Sequence, residues 1–246
     1  MALLSEFSML PQPTATTCGP TCLQALYRYF GEDVGLGEVI AGVEVLDDGG
    51  TLAALLANHA LRRHYDATIY TYNLQLFDPT WFHAPGVDLA ARLRAQAAAK
   101  PDAKLRVATR AYLDFLELGG HVRYTELRAE LIRRYLKQQV PILTGLSATY
   151  LHGTPREFGV NCDEDDIRGL PTGHFVVLCG YDPEHREVVV ADPLQPNPLA
   201  STHTYRVSID RVIGAILLGV LTYDANLLII RPRQHREGDR AAPDHR

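Results

Sequence analysis

The sequence predicts an α+β domain, and three observations carry that expectation. Apolar residues recur at helical spacing through most of residues 20–137. Short β-rich runs separated by turn residues fill 140–232. Helices gathered ahead of strands, rather than alternating with them, argue for a mainly antiparallel sheet built chiefly from the C-terminal half.

Residues 1–17, with Pro11, Pro13 and a Thr-rich run, read as extended and turn-like. Cys22, Leu23, Leu26, Tyr27 and Phe30 then mark a helix that Gly31 stops. Short helices are expected over 36–43 and 52–61. Residues 65–72, aromatic and β-branched, read as a strand. Asp88 is placed to cap a helix through Ala99, ended by Pro101. A second helix runs from about Leu105 to Leu118, closed by Gly119-Gly120. A third begins at Thr125 and puts Leu127, Leu131, Tyr135 and Leu136 on one face. Beyond it, 140–146, 174–181, 187–191 and 203–207 are strand candidates. Ser208 caps a short helix through Leu217, and 227–230 is a last strand ending at Pro232. Residues 1–232 read as one domain in which 65–137 is a possible helical insertion, followed by a polar, disordered tail over 233–246. No internal repeat is visible.

Composition narrows the function classes. The chain has 246 residues, 46% of them hydrophobic, with 24 basic and 29 acidic side chains and a net charge of −5. That apolar content and low net charge exclude disorder. Four cysteines are too few for a disulfide scaffold. The mild acidity argues against a nucleic-acid partner. The most apolar stretch, 212–220, is about half of the roughly 20 residues a spanning helix needs, so no membrane association is expected. No basic leader precedes the apolar start, and the expected compartment is the cytoplasm, where thiols stay reduced.

The segment Gln12-Pro13-Thr14-Ala15-Thr16-Thr17-Cys18-Gly19-Pro20 holds the sharpest signal. Cys18 falls at the start of an amphipathic helix, where Pro20 is tolerated. Unpaired amides and the helix dipole place partial positive charge there, favouring thiolate over thiol. The same amides can receive an oxyanion, and Gln12, six residues upstream, is close enough to add a side-chain donor. The plain alternative is a small buried hydrophobe, the commoner fate of a free cysteine. Cys22, on the apolar face, fits that description better, and Cys162 and Cys179 are read as structural too.

A thiolate nucleophile needs a proton shuttle whose tautomer is fixed. Of ten histidines, His174 stands out: it follows the Leu170-Pro171-Thr172-Gly173 turn and opens the apolar strand Phe175-Val176-Val177-Leu178. If that strand pairs with Val188–Ala191 as a hairpin, Asp192 returns beside His174. His152 and His203 are reserve bases, and Asp182 is the reserve carboxylate. Taken singly, a strand-end His is usually a surface residue and Asp-Pro usually a turn.

The stretch QPTATTCGPTC, followed far downstream by GHFVVLCGYD and then ADP, resembles the papain-like cysteine peptidases that process double-glycine leaders (the bacteriocin-processing, peptidase C39-like family). Within that family it resembles the standalone cytoplasmic members that lack the fused transporter. The resemblance implies a papain-like fold, an oxyanion-hole role for Gln12, nucleophilic attack by Cys18, a general base in His174 and an orienting Asp192. It also implies a peptide or peptide-like substrate and no metal or cofactor. Gly19 and Gly173, flanking nucleophile and base, with Tyr150 and His152 of the long 147–172 loop, are the candidate substrate-binding residues. That loop reads as a lid over the cleft or as a solvated excursion.

Three functions compete. The leading expectation is a hydrolase working through an acyl-enzyme thioester; the same triad with an amine or thiol acceptor would be an acyltransferase. A module that grips a leader peptide without cutting it is the second class. A zinc enzyme is the third, weakened because Cys162, His174, His152 and Asp163 show no paired ligand spacing. Oligomeric state and cleavage specificity stay open.

Overall fold

The run that begins at Cys18 is helical because Cys22, Leu23, Leu26 and Tyr27 share one face, all of them fully buried, and because Pro20 sits in the first turn, where no amide donor is required. It ends where Gly31 takes φ +86, a left-handed value that side chains resist. The computed structural model describes residues 2–3, 7–46, 49–159 and 161–233. A two-residue strand, β1 (Ala2–Leu3), precedes this helix, α1 (Cys18–Tyr29), which leads into α2 (Leu36–Gly42), α3 (Ala53–Arg62) and strand β2 (Tyr65–Thr71). Next come α4 (Leu89–Ala99), α5 (Ala103–Glu117), β3 (His121–Arg123) and α6 (Ala129–Lys137). The second half holds β4 (Ile142–Ser147), a π turn at Thr149–Gly153, the small hairpin β5 (Glu157–Phe158) and β6 (Asp163–Glu164), then β7 (Gly173–Asp182), β8 (Glu187–Ala191), β9 (Thr204–Ser208), α7 (Ile209–Leu218) and β10 (Asn226–Pro232).

The main sheet runs β3-β2-β10-β4-β7-β8-β9, with β1 joining at β7. Every pairing is antiparallel except β2 with β3. Strand β7 reads as a continuous apolar run because both faces are covered. Phe175, Val177 and Cys179 point into a core shared with Leu23 and Leu26 of α1, Leu56 of α3 and Phe115 of α5. Val176 and Leu178 point into a second core with Ile132 and Leu136 of α6 and Val212 and Ile216 of α7. Burying a side chain of this size stabilises the fold by roughly 1.5–3 kcal/mol. Two helical layers on one twisted sheet give the α+β architecture that the helix-then-strand order predicts.

The departures have local causes. The helix expected from Thr125 starts at Ala129, because 121–123 instead lie parallel to β2 and 124–128 carry the chain back from the sheet edge. There the Tyr124 ring stacks on Phe82, with centroids 5.5 Å apart. A three-residue edge strand is too short to show a period. Strand β4 begins after Pro141, which has no amide to donate. Helix α5 starts two residues early because Asp102 caps it, accepting from the Leu105 amide at 2.9 Å. Strand β10 is longer than the four residues expected, pairing along its whole length with β2, so the N-terminal half supplies an interior strand. The long loop before His174 is built: β5 pairs β6, and Glu157 bridges back to Leu170. The tail expected to be disordered lies, from 234 onward, outside the described residues. No helix among the described residues is long and apolar enough to cross a membrane.

Gly120 tests the close packing at the end of α5. A Cβ there would stand 2.2 Å from Cε2 of the buried Phe115 ring. Gly120→Ala should cost about 1–3 kcal/mol, read as a lower urea midpoint at unchanged slope. An unchanged midpoint would mean that this contact is looser than described.

Candidate active site

Cys18 is the first residue of α1, and the chain reaches it through a turn that the Thr-rich run makes for itself. Thr14 donates its amide to Thr17 Oγ1 at 3.0 Å, Thr17 returns its own amide to the Thr14 carbonyl, and Thr21 Oγ1 donates to the Thr17 carbonyl at 2.7 Å. Cys18 itself is mostly buried, 9% exposed. Gly19 is packed hard behind it; a Cβ there would meet Thr51 Cγ2 at 2.7 Å and the Leu56 and Phe175 side chains slightly farther out. That close fit holds the start of α1 against Phe175 near the start of β7. One turn along, Cys22 donates its thiol to the Phe175 carbonyl, and burial first, then the nearby Cys18 and Asp192 charges, raise it well above the ordinary thiol range. Cys22 is held as a thiol.

His174 is the second residue of β7 and sits at the same end of the sheet. Its Nε2 lies 2.7 Å from Asp192 Oδ1, just past the end of β8, where the β7–β8 register brings Ala191 opposite Val177. Cys18 lies beside the same imidazole, near enough to act on its protonation together with Asp192. With Nε2 occupied by Asp192, Nδ1 is the nitrogen left for the sulfur. Burial works to lower the protonation constant of His174, but the Asp192 charge and hydrogen bond, joined by Cys18, outweigh it and raise the value to about 10. The imidazole is therefore held as a cation at neutral pH.

Asp192 is fully buried, and its carboxylate is saturated. Oδ1 accepts from His174 and from the Leu194 amide at 2.9 Å; Oδ2 accepts from Tyr205 Oη at 2.8 Å and from His152 Nε2 at 3.1 Å. Burial alone would raise such a carboxyl, yet the His174 charge and the bonds from His152, His174 and Leu194 hold it well below the ordinary carboxylate range. An ionised carboxylate only accepts, so both imidazoles and the phenol must donate to it. Tyr205 is correspondingly kept from ionising, first by burial and then by the Asp192 charge.

The remaining expected site residues fall as follows. Gln12 is anchored beside Asp192: its amide donates to the Pro193 carbonyl at 2.9 Å, and its side-chain Nε2 donates to the Thr14 carbonyl at 3.0 Å, leaving Oε1 buried without a partner among the described residues. The His152 side chain, only 2% exposed, is turned onto Asp192, and that burial does not fit a substrate contact. The structural reason is that the buried charge on Asp192 demands donors. Tyr150 is about half exposed, its ring over Gly214 and its carbonyl facing Arg211. Gly173 is half-buried and lies against Thr222 and Asp224. His203 donates through Nδ1 to the Asp192 carbonyl, and Asp182 is engaged by His185 and Arg206 at the far end of β7. Cys179 is buried, its thiol pushed up to about 12, whereas Cys162, expected to be structural, is exposed in the β5–β6 turn. The described residues contain no group of three or more metal-ligating side chains set to hold an ion.

Two participants carry no signature in the sequence. Tyr205 alternates with exposed Thr204 and Arg206 along β9, so its burial was readable but its partner was not. Asp224 lies in the turn before β10, buried against Gly145 and Gly173, with Oδ2 accepting from Thr222 Oγ1 at 3.1 Å and Oδ1 unpartnered among the described residues. Burial raises its carboxyl to about 7 against the pull of Thr222, Lys104 and His174.

Comparison with known proteins agrees with this arrangement of elements. The model of the Peptidase C39 like family matches residues 102–211, a span that holds His174 and Asp192 but begins after Cys18. No curated protein matches the sequence. A chain described as a C39-like peptidase from Bacillus anthracis superposes with a TM-score of 0.50 at 13% identity, over 95% of this chain and 98% of that one. Xylellain, a cysteine protease from Xylella fastidiosa, gives 0.49 at 13% identity over 95% and 86%. A double glycine motif protease from an AMS/PCAT transporter, solved with its leader peptide, gives 0.43 at 14% identity over 92% and 91%. The fold is the papain-like peptidase fold, and the resemblance to C39-like peptidases read from the motifs holds.

Asp224 gives a stability test with a definite sign. Its proton, released near pH 4 in the unfolded chain, is kept to about 7 in the folded one, so the buried charge costs stability as pH rises between those values and costs most above 7. Asp224→Asn should therefore raise the melting temperature more at pH 8 than at pH 4. Equal shifts at both values would mean that the carboxylate is solvated.

Proposed function

We propose that the chain is a cysteine-nucleophile hydrolase that cleaves a peptide or peptide-like amide through an acyl-enzyme thioester. The observation that carries this reading is one imidazole with two partners: His174 bound to buried Asp192 at 2.7 Å on Nε2, with Cys18 as its other neighbour. A peptide substrate is supported by the C39-like match over 102–211.

The steps follow from the geometry. The Cys18 thiolate, facing imidazolium, adds to the scissile carbonyl carbon, and the carbonyl electrons move onto oxygen. That oxyanion meets the Cys18 amide, which has no helical acceptor at the start of α1, and the side-chain NH₂ of Gln12, whose second N–H is left over after Thr14. His174 then gives its proton to the leaving nitrogen as the C–N bond breaks and the thioester forms. Neutral His174 next takes a proton from water and becomes imidazolium again as the hydroxide adds to the thioester carbonyl; collapse of the second oxyanion then breaks the C–S bond, releasing the carboxylic acid and restoring the Cys18 thiolate beside imidazolium. Asp192 keeps Nε2–H in place throughout. The cytoplasm, where thiols stay reduced, is the compartment this chemistry suits.

Cleavage of a peptide library, followed by mass spectrometry, tests the assignment. Cys18→Ala should abolish turnover, and His174→Ala should lower it by roughly 10²–10⁴-fold. Iodoacetamide with peptide mapping should label Cys18 ahead of the exposed Cys162 at pH 6. Full turnover by Cys18→Ala would remove the nucleophile, and preferential labelling of Cys162 would remove the ion pair.

A further inference from the structure

Asp192 is expected to need one partner, His174, yet it has four, and the two on Oδ2 come from elements that touch nothing else in the proposed chemistry. His152 belongs to the π turn Thr149–Gly153, and Tyr205 to β9. Both reach the carboxylate from the α7 side of the sheet, where Leu151 and Tyr205 share a core with Val212. The two imidazoles stand 5.9 Å apart, centroid to centroid and tilted by 58°, one on each carboxylate oxygen. Only one of them has Cys18 as a further partner.

We propose that His152 is a positioning residue: through an Nε2–H bond to Oδ2, backed by the Tyr205 hydroxyl, it fixes the rotation of the Asp192 carboxylate so that Oδ1 is aimed at His174. A carboxylate turns easily about its last bond, and with Oδ2 undonated in a dry site it would swing to share its charge between oxygens. Two donors on Oδ2 and the Leu194 amide on Oδ1 close off that rotation. The π turn serves the same end, setting the buried His152 beneath the strand end while Tyr150, two residues earlier, stays outside over α7. The titratable groups facing this centre are His174 and Cys18 from β7 and α1, Cys22 one turn along, Tyr205 from β9 with Arg211 of α7 beyond it, His203 at the Asp192 carbonyl, and Asp224, before β10, within the field of His174.

This role rests on the reading of His174 as the partner of Cys18, and two measurements separate the fates of the two ideas. In the unmodified protein, ¹⁵N-labelled histidine read by NMR at pH 7 should show a proton on Nε2 of His152, where the bond requires it. A neutral ring carrying its proton on Nδ1 alone would overturn the proposal whatever Cys18 does. The pH profile of Cys18 alkylation by iodoacetamide, followed by peptide mapping, is the second. His152→Ala should slow the reaction about tenfold below pH 7, the size of one lost hydrogen bond to a charged group, and Tyr205→Phe should do so by less. His152→Gln, which can place an amide donor where Nε2 stood, should restore most of the rate. A profile unchanged in a folded His152→Ala protein would overturn the role, and if that variant does not fold, the Gln variant and the tautomer decide. Should wild-type Cys18 react no faster than Cys162, the hydrolase reading falls by itself, and the His152 tautomer still answers the narrower question.

Discussion

A single buried negative charge organises the end of this molecule that holds His174. Asp192 has no exposed surface, and leaving a carboxylate there without compensation would cost several kcal/mol. The fold meets that cost with four donors from four places: β7, the π turn, β9 and the loop after β8. Each donor is also a positional constraint. The charge therefore decides where the ends of three strands must sit relative to one another, and with them where the His174 ring must point.

The sheet and the first helix do the rest. Strand β7 is pinned on both faces by apolar side chains, so the His174 backbone has little freedom. Helix α1 crosses the same strand with Gly19 in near-contact with Phe175 and with Cys22 bonded to the Phe175 carbonyl, which sets the axial position of the helix to within one packing contact. Cys18 follows as the next residue out. Two cysteines one turn apart thus have different duties: the inner one is a buried thiol that fixes the helix, and the outer one meets the imidazole.

Much of this was legible from sequence, for physical reasons that differ by residue. The helix start at Cys18 shows in the Pro20 position and the apolar spacing behind it; the capped helix after Asp88 shows in the cap itself, whose side chain accepts from the Ala91 amide. The return of Asp192 to His174 follows from a short hairpin between two apolar strands. What could not be read is what depends on three-dimensional convergence. The sequence offers His152 as a reserve base or a substrate contact in a long loop; its burial comes from a neighbour forty positions away. The alternation along β9 shows that Tyr205 is buried but not against what, Asp224 has no local signature, and β3 is too short for a period. The π turn and the β5–β6 hairpin were hidden because neither has a repeating pattern.

The central claim is that the Asp192 charge keeps His174 protonated beside Cys18 under conditions where a solvated histidine is neutral. The ¹⁵N signals of the His174 ring at pH 8 test this most directly. Both nitrogens should carry protons there, with loss of the second only near pH 10. A ring already neutral at pH 8, with one bare nitrogen, would contradict the account.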